Sequence, residues 1–162
     1  MGQTTTRYER NGVLGIVINS TLIKVPEGAP DETAAQERWI RSTLAQARGG
    51  GHDRIMVFQH HSWFLTQSDE ADQYFNLPLA LRREYLDLFR GAGVSHVFAG
   101  HYHRNAFGRD GEMEMVTTGP VGRPLGTDPS GFRIVIVAGR RVEHRYYSLD
   151  SLPARVQIAG LN

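Results

Sequence analysis

Three histidines, His60, His101 and His103, stand where this sequence could build a metal site. His60 directly follows an apolar run at 54–59, and a Gly-His-Tyr-His tetrapeptide at 100–103 follows another apolar run at 94–99. Imidazole is the commonest side-chain metal ligand. The chain has no cysteine, so only histidine and carboxylates remain as metal ligands. In extended chain, residues two apart point the same way, so His101 and His103 could hold one ion or reach two neighbouring ions.

The other four histidines have less favourable positions. We expect His52, His96 and His144 to be structural, because the last two lie inside strand patterns. Neighbours on extended chain point to opposite sides, so His61 is not expected to be a ligand together with His60. It is expected to face substrate, to support a ligand or to pack in the core.

Three apolar runs predict the strands that position these histidines. Residues 13–19, 54–59 and 94–99 read as buried strands. A helix with an apolar stripe is predicted from an Asp31 cap to Ala47, and a second from an Asn76 cap to about Phe89. Ligands of open α/β sheets bind outside the carboxyl ends of the strands. The histidines that follow the second and third strands are therefore expected at one sheet edge.

The second half of the chain has a different pattern. No helix is indicated after residue 104. One hairpin is predicted at 107–116 with its turn at Asp110-Gly111, and another joins 132–137 to 141–148. A Gly- and Pro-rich loop is predicted at 119–131, and the stretch 117–131 is expected to line the substrate side. The acidic segment at 66–76 is predicted to be a solvated loop. The order predicts an α/β fold with mixed sheets and helices on one face.

Composition restricts the protein class. The chain has 162 residues and a net charge of +1 without a basic patch, so we expect one domain at 1–162 and no nucleic-acid partner. No apolar run reaches the roughly 18 residues that a membrane helix needs, and no signal-peptide pattern is visible. These features and the lack of cysteine predict a cytoplasmic protein without membrane contact. Phosphate-binding loops, dinucleotide fingerprints and serine-nucleophile elbows are absent from the sequence.

Several motifs together resemble the C-terminal half of calcineurin-like metallophosphoesterases. They are VFQH at 57–60, YFNLP at 74–78, GHYHRNA at 100–106, LG-x-DP-x-G at 125–131 and HRYYSLD at 144–150. The likeness extends over nearly the whole chain. It implies the C-terminal half of a four-layer α/β/β/α sandwich. At positions 61–62, His-Ser stands where relatives often carry an apolar residue and proline.

The resemblance also implies an activity. Members of this family hydrolyse phosphate monoesters, including phosphoserine and phosphothreonine on proteins, with two divalent ions (Mn, Fe, Zn or Mg). It implies that His60 and His101 hold one ion and that His103 holds the other. The metal-bound water attacks phosphorus while both ions neutralise the phosphoryl oxygens. Arg104 and Arg123 are candidates for contact with the substrate phosphate.

The sequence lacks the family's other metal motifs. Those motifs are Asp-x-His, Gly-Asp-x-x-Asp and Gly-Asn-His-Asp/Glu, and none occurs in this chain. Without a bridging carboxylate two dications would repel each other, so we expect weak metal binding and little hydrolysis from this chain alone. A homodimer or a separately encoded N-terminal half is expected as partner. Two alternatives stay open: an inactive binding or regulatory module, and a one-zinc hydrolase on His60, His101 and His103.

Overall fold

A six-stranded mixed sheet forms the centre of the computed structural model, which describes residues 5–156. Its strands are β1 Thr6–Arg10, β2 Val13–Val17, β3 Arg54–Phe58, β4 Val94–Ala99, β5 Ala106–Asp110 and β6 Met113–Thr117. They lie in the order β1-β2-β3-β4-β6-β5. The four inner strands are parallel, and β1 and β5 are antiparallel strands at the two edges. The sheet confirms the predicted mixed α/β class.

Helices cover one face of this sheet. They are α1 Ser20–Lys24, α2 Pro30–Ala47 and α3 Leu79–Ala92. The apolar stripes of α2 and α3, with Ile40 and Phe89 among their buried residues, pack on side chains of the parallel strands in the main core. Helices on one face were predicted, and the prediction is confirmed. Within residues 5–156, no helix has the length and apolarity needed to cross a membrane.

A separate hairpin covers the other face. Its strands are β7 Gly131–Ala138 and β8 Arg141–Ser148. Val135, Val137 and Val142 pack against a small cluster of Met56, Phe98 and Val116 on the main sheet. The next residues along each strand point the opposite way, so the hairpin has an outer face that turns away from the sheet. The predicted second hairpin is confirmed.

Turn residues set the hairpins of the main sheet. Asn11 (φ 49°) and Gly12 (φ 77°) form the two-residue turn between β1 and β2, as the Asn-Gly pair favours. Strand β1 was not predicted, because its residues are all exposed and carry no burial pattern. The turn between β5 and β6 lies at Gly111 and Glu112, one residue later than predicted, because Asp110 pairs with Met113.

Three predicted helix and strand boundaries are wrong. The first strand ends at Val17, because the Asn19 side chain accepts a hydrogen bond from the Thr21 amide and caps α1. Helix α2 begins at Pro30, whose fixed φ suits a first helical turn, so Asp31 is not its cap. Asn76 is also not a cap. Helix α3 begins after Pro78, and the Leu79 amide donates to the Asp72 carboxylate instead.

Candidate metal centre

The ends of β3 and β4 bring His60 and His101 together. The two strands are parallel neighbours, so their carboxyl ends meet at one edge of the sheet. Backbone bonds continue the pairing beyond the strands, from Gln59 N to Phe98 O (3.0 Å) and from Gly100 N to His60 O (3.0 Å). As a result, His101 Nδ1 lies 3.0 Å from His60 Nε2. The predicted convergence of these two side chains is what the structure shows.

The Gly-His-Tyr-His segment turns sharply and is not extended. The Tyr102 amide donates to the Gly100 carbonyl at 2.6 Å, which closes a three-residue γ-turn around His101. His101 (φ 61°) and His103 (φ 56°) both have left-handed backbone, which is uncommon for residues other than glycine. The extended geometry predicted for this pair is therefore wrong. Strain of this kind often marks functional sites, where the surrounding structure holds it in place.

His61 joins the same group of imidazoles. The chain has left β3 by this point, so the alternation that should have separated His60 from His61 no longer applies. One ring nitrogen from each of His60, His61 and His101 lies within 4.8 Å of the other two. We call these three residues the edge cluster. The prediction that His60 and His61 point apart is wrong.

Ser20, at the start of α1, fixes the orientation of His61. Ser20 is fully buried, and its Oγ accepts a hydrogen bond from the His61 backbone amide at 2.8 Å. The same Oγ lies 3.0 Å from His61 Nδ1. This contact occupies Nδ1 and leaves Nε2 as the ring nitrogen that is free for another partner. Nothing in the sequence pattern indicated the pairing, because the two residues are 41 positions apart.

Burial and neighbouring charges favour the neutral forms of His61 and His101. Burial, followed by the charges of His101, Lys24 and His60, lowers the pKa of His61 to about 4. Burial also lowers the pKa of His101, together with His60 and Lys24, although the nearby Tyr74 carbonyl acts in the opposite direction. Neutral imidazole is the form that binds metal. His61 and His101 are therefore ready to accept a cation at neutral pH without first losing protons.

His103 lies outside the edge cluster. Its Nδ1 donates a hydrogen bond to the Arg123 carbonyl at 2.8 Å, and its own carbonyl accepts one from the Leu125 amide. A histidine whose Nδ1–H is held by a carbonyl presents Nε2 as a possible ligand. The structure thus brings together two of the three predicted ligands and leaves the third beside the loop at 118–130.

The two candidate arginines have different surroundings. Arg104 is half-buried; its Nε donates to the Leu125 carbonyl and its guanidinium stacks 5.2 Å from the centre of the Tyr102 ring. Arg123 is exposed. Next to them, the Asn105 side chain and backbone both donate to Asp128 and tie the histidine turn to the following loop. Arg104 therefore has a structural task that the sequence did not reveal.

The acidic segment at 66–76 is largely exposed, as predicted for a solvated loop, but Glu70 within it is held by hydrogen bonds. The Glu70 carboxylate accepts bonds from the backbone amides of Leu65, Thr66 and Gln67 and from the side chain of Asn76. Burial raises the pKa of Glu70, but these bonds outweigh it and lower the value to about 2. We call residues 65–78 the Glu70 loop.

The Glu70 loop places aromatic side chains beside the edge cluster. The Tyr74 ring lies 5.0 Å from the His101 ring and the Phe75 ring lies 5.9 Å from it. Tyr74 is 71% exposed, so most of its ring faces solvent at the mouth of the site. The Lys24 ammonium donates to the Tyr74 and Asn76 carbonyls and holds the loop against α1.

Two other histidines form a separate group between the sheet and the hairpin. Glu114 Oε2 lies 3.1 Å from His144 Nε2 and 3.4 Å from His96 Nε2, and Glu114 Oε1 accepts a bond from Arg109. Arg133 can only donate, so its 2.9 Å contact makes His144 Nδ1 an acceptor and leaves the proton on Nε2. We call His96, Glu114 and His144 the inter-sheet cluster. Their predicted structural role agrees with these contacts.

The edge cluster consists of nitrogen ligands alone. Among residues 5–156, no Asp or Glu belongs to its group of potential ligand atoms. His101 presents Nδ1 to His60, and among the described residues its other ring nitrogen, Nε2, is buried without a hydrogen-bond partner. Nitrogens about 2.1 Å from a tetrahedrally coordinated ion lie about 3.4 Å apart, close to the 3.0 Å between His60 Nε2 and His101 Nδ1. The residues present fit the imidazole part of a metal site.

Comparison with known proteins supports the resemblance. No family model matches the chain. The human serine/threonine-protein phosphatase CPPED1 is 44% identical over 142 residues, which cover 87% of this chain and 45% of that protein. The zebrafish protein of the same name is 42% identical over 144 residues, 89% of this chain and 47% of its own length. The chain therefore spans less than half the length of these curated relatives.

A solved structure supports the fold. The GAP50 protein, described as the anchor in the inner membrane complex of Plasmodium, aligns with a TM-score of 0.67 over 89% of this chain and 49% of its own chain. At 15% sequence identity the likeness concerns the fold alone. It agrees with the predicted α/β class.

Proposed function

We propose that this chain, a relative of the calcineurin-like phosphatase CPPED1, supplies the imidazole ligands of a metal-dependent phosphomonoesterase. The observation that carries the proposal is the 3.0 Å approach of His60 Nε2 and His101 Nδ1 at the ends of adjacent parallel strands. Such strand ends are where α/β sheets bind their ligands. The likeness to CPPED1 gives this pair a chemical role.

The described ligands indicate how the ions would be held. His60 and His101 would share one divalent ion, and His103, with Nδ1 held by Arg123, would face a second ion. When bound, such ions activate water and neutralise a phosphoryl group. Imidazole ligands suit zinc and other transition metals better than magnesium. We therefore favour Zn, Mn or Fe over Mg among the predicted metals.

The substrate side has both charge and aromatic surface. Arg123 is exposed on the loop whose carbonyl holds His103, so its guanidinium could reach a phosphate there. Arg104 is already used within the loop and would contribute mainly through its charge. The exposed ring of Tyr74 stands beside His101 and could contact the group that carries the phosphate. A protein phosphoserine or phosphothreonine is the substrate class we propose, from the name of the relatives.

A partner would complete the site. No carboxylate belongs to the edge cluster within residues 5–156, and close dications need one to reduce their repulsion. The hairpin of β7 and β8 pairs with no further strand in the described part of the chain. Its outer face carries the partly exposed Phe132, Ile134 and Ile136. We propose that this surface packs against the polypeptide that supplies the remaining ligands, or against a second copy.

Hydrolysis assays test the proposal. The untagged chain, alone and mixed with the part of human CPPED1 that it does not match, is assayed on p-nitrophenyl phosphate and a phosphoserine peptide with added Zn²⁺ or Mn²⁺. We expect activity mainly in the mixture, and a loss of more than about 100-fold in His101→Ala. His52→Ala is the matched control and should keep full activity. Equal activity in wild type and His101→Ala would rule the proposal out.

A further inference from the structure

We infer that His61 is a third imidazole ligand of the ion that His60 and His101 hold. The inference rests on the proposed metal site and extends it by a residue that neither strand alternation nor the family resemblance assigns. It makes a set of three imidazole ligands that lies wholly within this chain. The one-zinc alternative places His60, His101 and His103 around one ion instead, so the two sets can be separated by experiment.

Distances among the three rings carry the inference. The His61 ring centre lies 4.8 Å from that of His60 and 4.3 Å from that of His101, and the His60 and His101 centres are 4.8 Å apart. The three rings thus form a near-equilateral triangle. Potential ligand atoms from all three lie within 4.8 Å of one another, whereas His103 does not belong to this group. One ion can contact three nitrogens at such separations when small side-chain rotations close the set around it.

The Ser20 contact prepares His61 for this role. Metal-binding histidines nearly always have their second ring nitrogen held by a hydrogen bond, which fixes the tautomer and the ring plane. His61 Nδ1 has this partner in the buried Ser20 hydroxyl, whose oxygen is itself held by the His61 amide. When Nδ1–H donates to Ser20, Nε2 carries a lone pair for the ion. The arrangement around His61 is therefore that of a supported ligand.

A purely structural role explains less of the geometry. A core histidine needs partners for its polar atoms, and Ser20 provides one for His61. Structural need does not explain why the rings of two further histidines meet His61 at the ends of the strands. A bound cation would use the lone pairs that this arrangement leaves over.

The donor set selects the metal class. Three imidazoles without thiolate or carboxylate suit Zn²⁺, Co²⁺, Ni²⁺ and Cu²⁺, and they suit Mg²⁺ and Ca²⁺ poorly. Three protein ligands leave a position for water or substrate, as in catalytic zinc sites. The inferred site is therefore a transition-metal site with an open position, and it can be measured by metal binding without any assay of hydrolysis.

Metal titration of the untagged chain tests the inference. Zn²⁺ is titrated by calorimetry and Co²⁺ by its visible absorption, with His61→Leu, His103→Ala and His52→Ala as variants. We expect one ion per chain in the wild type and the same affinity and spectrum in His52→Ala. His61→Leu should weaken binding by more than about 100-fold, because even changes to residues that only support a ligand cost 10- to 100-fold. His103→Ala should keep the Co²⁺ spectrum, since that residue is outside the cluster.

Two further measurements keep the test decisive if His61→Leu is unstable. Ser20→Ala keeps all three imidazoles and should weaken Zn²⁺ binding by about 10- to 100-fold. In the unmodified chain, Zn²⁺ should shift the ¹⁵N resonances of the His61 ring together with those of His60 and His101. Unshifted His61 resonances, or a folded His61→Leu with wild-type affinity, would overturn the inference and leave the proposed function intact. Unchanged binding in both His60→Ala and His101→Ala would overturn the proposed function as well.

Discussion

The edge cluster and the inter-sheet cluster both gather histidines on the main sheet, yet only the inter-sheet cluster contains a carboxylate. Glu114 takes both of its histidines and Arg109 as partners, and Arg133 occupies the remaining nitrogen of His144. In the edge cluster, His101 Nδ1 contacts another imidazole, His60 Nε2, and within the described residues His101 Nε2 has no hydrogen-bond partner. One set of polar groups is satisfied from within the fold, and the other is not.

The difference fits a structural use of histidine in the inter-sheet cluster and the proposed metal-binding use in the edge cluster. Buried polar groups normally find partners, so a set of groups left without them calls for a ligand. The inter-sheet cluster connects β4 and β6 of the sheet to β8 of the hairpin and has no need of one. The edge cluster stands at the carboxyl ends of parallel strands, where a ligand can reach it. Residue type alone does not distinguish the two, but the balance of donors and acceptors does.

The largest expected effect is a loss of Zn²⁺ affinity that occurs in the edge cluster and not in the inter-sheet cluster. His60→Ala should reduce Zn²⁺ affinity by more than about 100-fold and change thermal stability little, because His60 is exposed. His144→Ala should keep Zn²⁺ affinity unchanged and lower stability. Calorimetric titration and thermal unfolding of both variants give the comparison. If His144→Ala loses metal and His60→Ala does not, the two clusters have been assigned the wrong way round.

Removing the inter-sheet carboxylate should have the second largest effect. Glu114 is 18% exposed, and His144, His96 and Arg109 together hold its pKa low against the opposing effect of burial. Glu114→Gln should therefore lower the free energy of unfolding by about 2 kcal/mol, since bonds to charged groups contribute about 1.5–3 kcal/mol. Urea denaturation measures the change. A variant that is as stable as the wild type would show that the cluster does not hold the hairpin.

The Glu70 loop allows a smaller test by pH. The pKa of Glu70 is about 2 in the folded chain and 4.5 as the ordinary value, so the folded state binds fewer protons. Its contribution to stability is complete above pH 4.5 and is lost as the pH falls through about 2. Glu70→Gln should reduce stability at pH 7 and flatten its decline between pH 4.5 and 2. Denaturation at several pH values checks this, and parallel curves for the two proteins would contradict it.

The smallest effect on stability is expected at Tyr74. The side chain is 71% exposed, so Tyr74→Ala should change the free energy of unfolding by less than about 0.5 kcal/mol. With the completed enzyme it should raise KM for a phosphopeptide more than KM for p-nitrophenyl phosphate. Phe75→Ala is the neighbouring control, because this ring also contacts His101 but is less exposed. Equal changes for both substrates would remove Tyr74 from the substrate side.

The sequence predicted well what repeating patterns determine. Apolar runs located β3 and β4, and their parallel order followed from the intervening helix, so the meeting of His60 and His101 could be foreseen. The second hairpin was also predicted, whereas the turn between β5 and β6 was predicted one residue too early. The mixed sheet with helices on one face agrees with the prediction, and the likeness to CPPED1 confirms the family resemblance.

Irregular backbone conformations and contacts between residues far apart in the sequence could not be predicted from its patterns. The γ-turn at His101 comes from local backbone conformation that no periodic pattern encodes. His61 meets Ser20 across 41 positions, and the alternation rule placed it wrongly because the strand had already ended. The segment around Glu70 was predicted to be solvated because it is acidic. The partners of Glu70 include backbone amides, which every residue type except proline has, so the sequence does not reveal them.

A buried arginine holds the Glu70 loop in place beside the proposed site. Arg82 of α3 has no exposed surface, and its guanidinium donates to the carbonyls of Ser68, Glu70 and Leu77. The Glu70 loop is therefore fastened to a core helix from within and cannot swing open and shut like a lid. A substrate would meet a wall that is already in place, so selection there depends on shape, and neither entry nor product release waits for this loop to move.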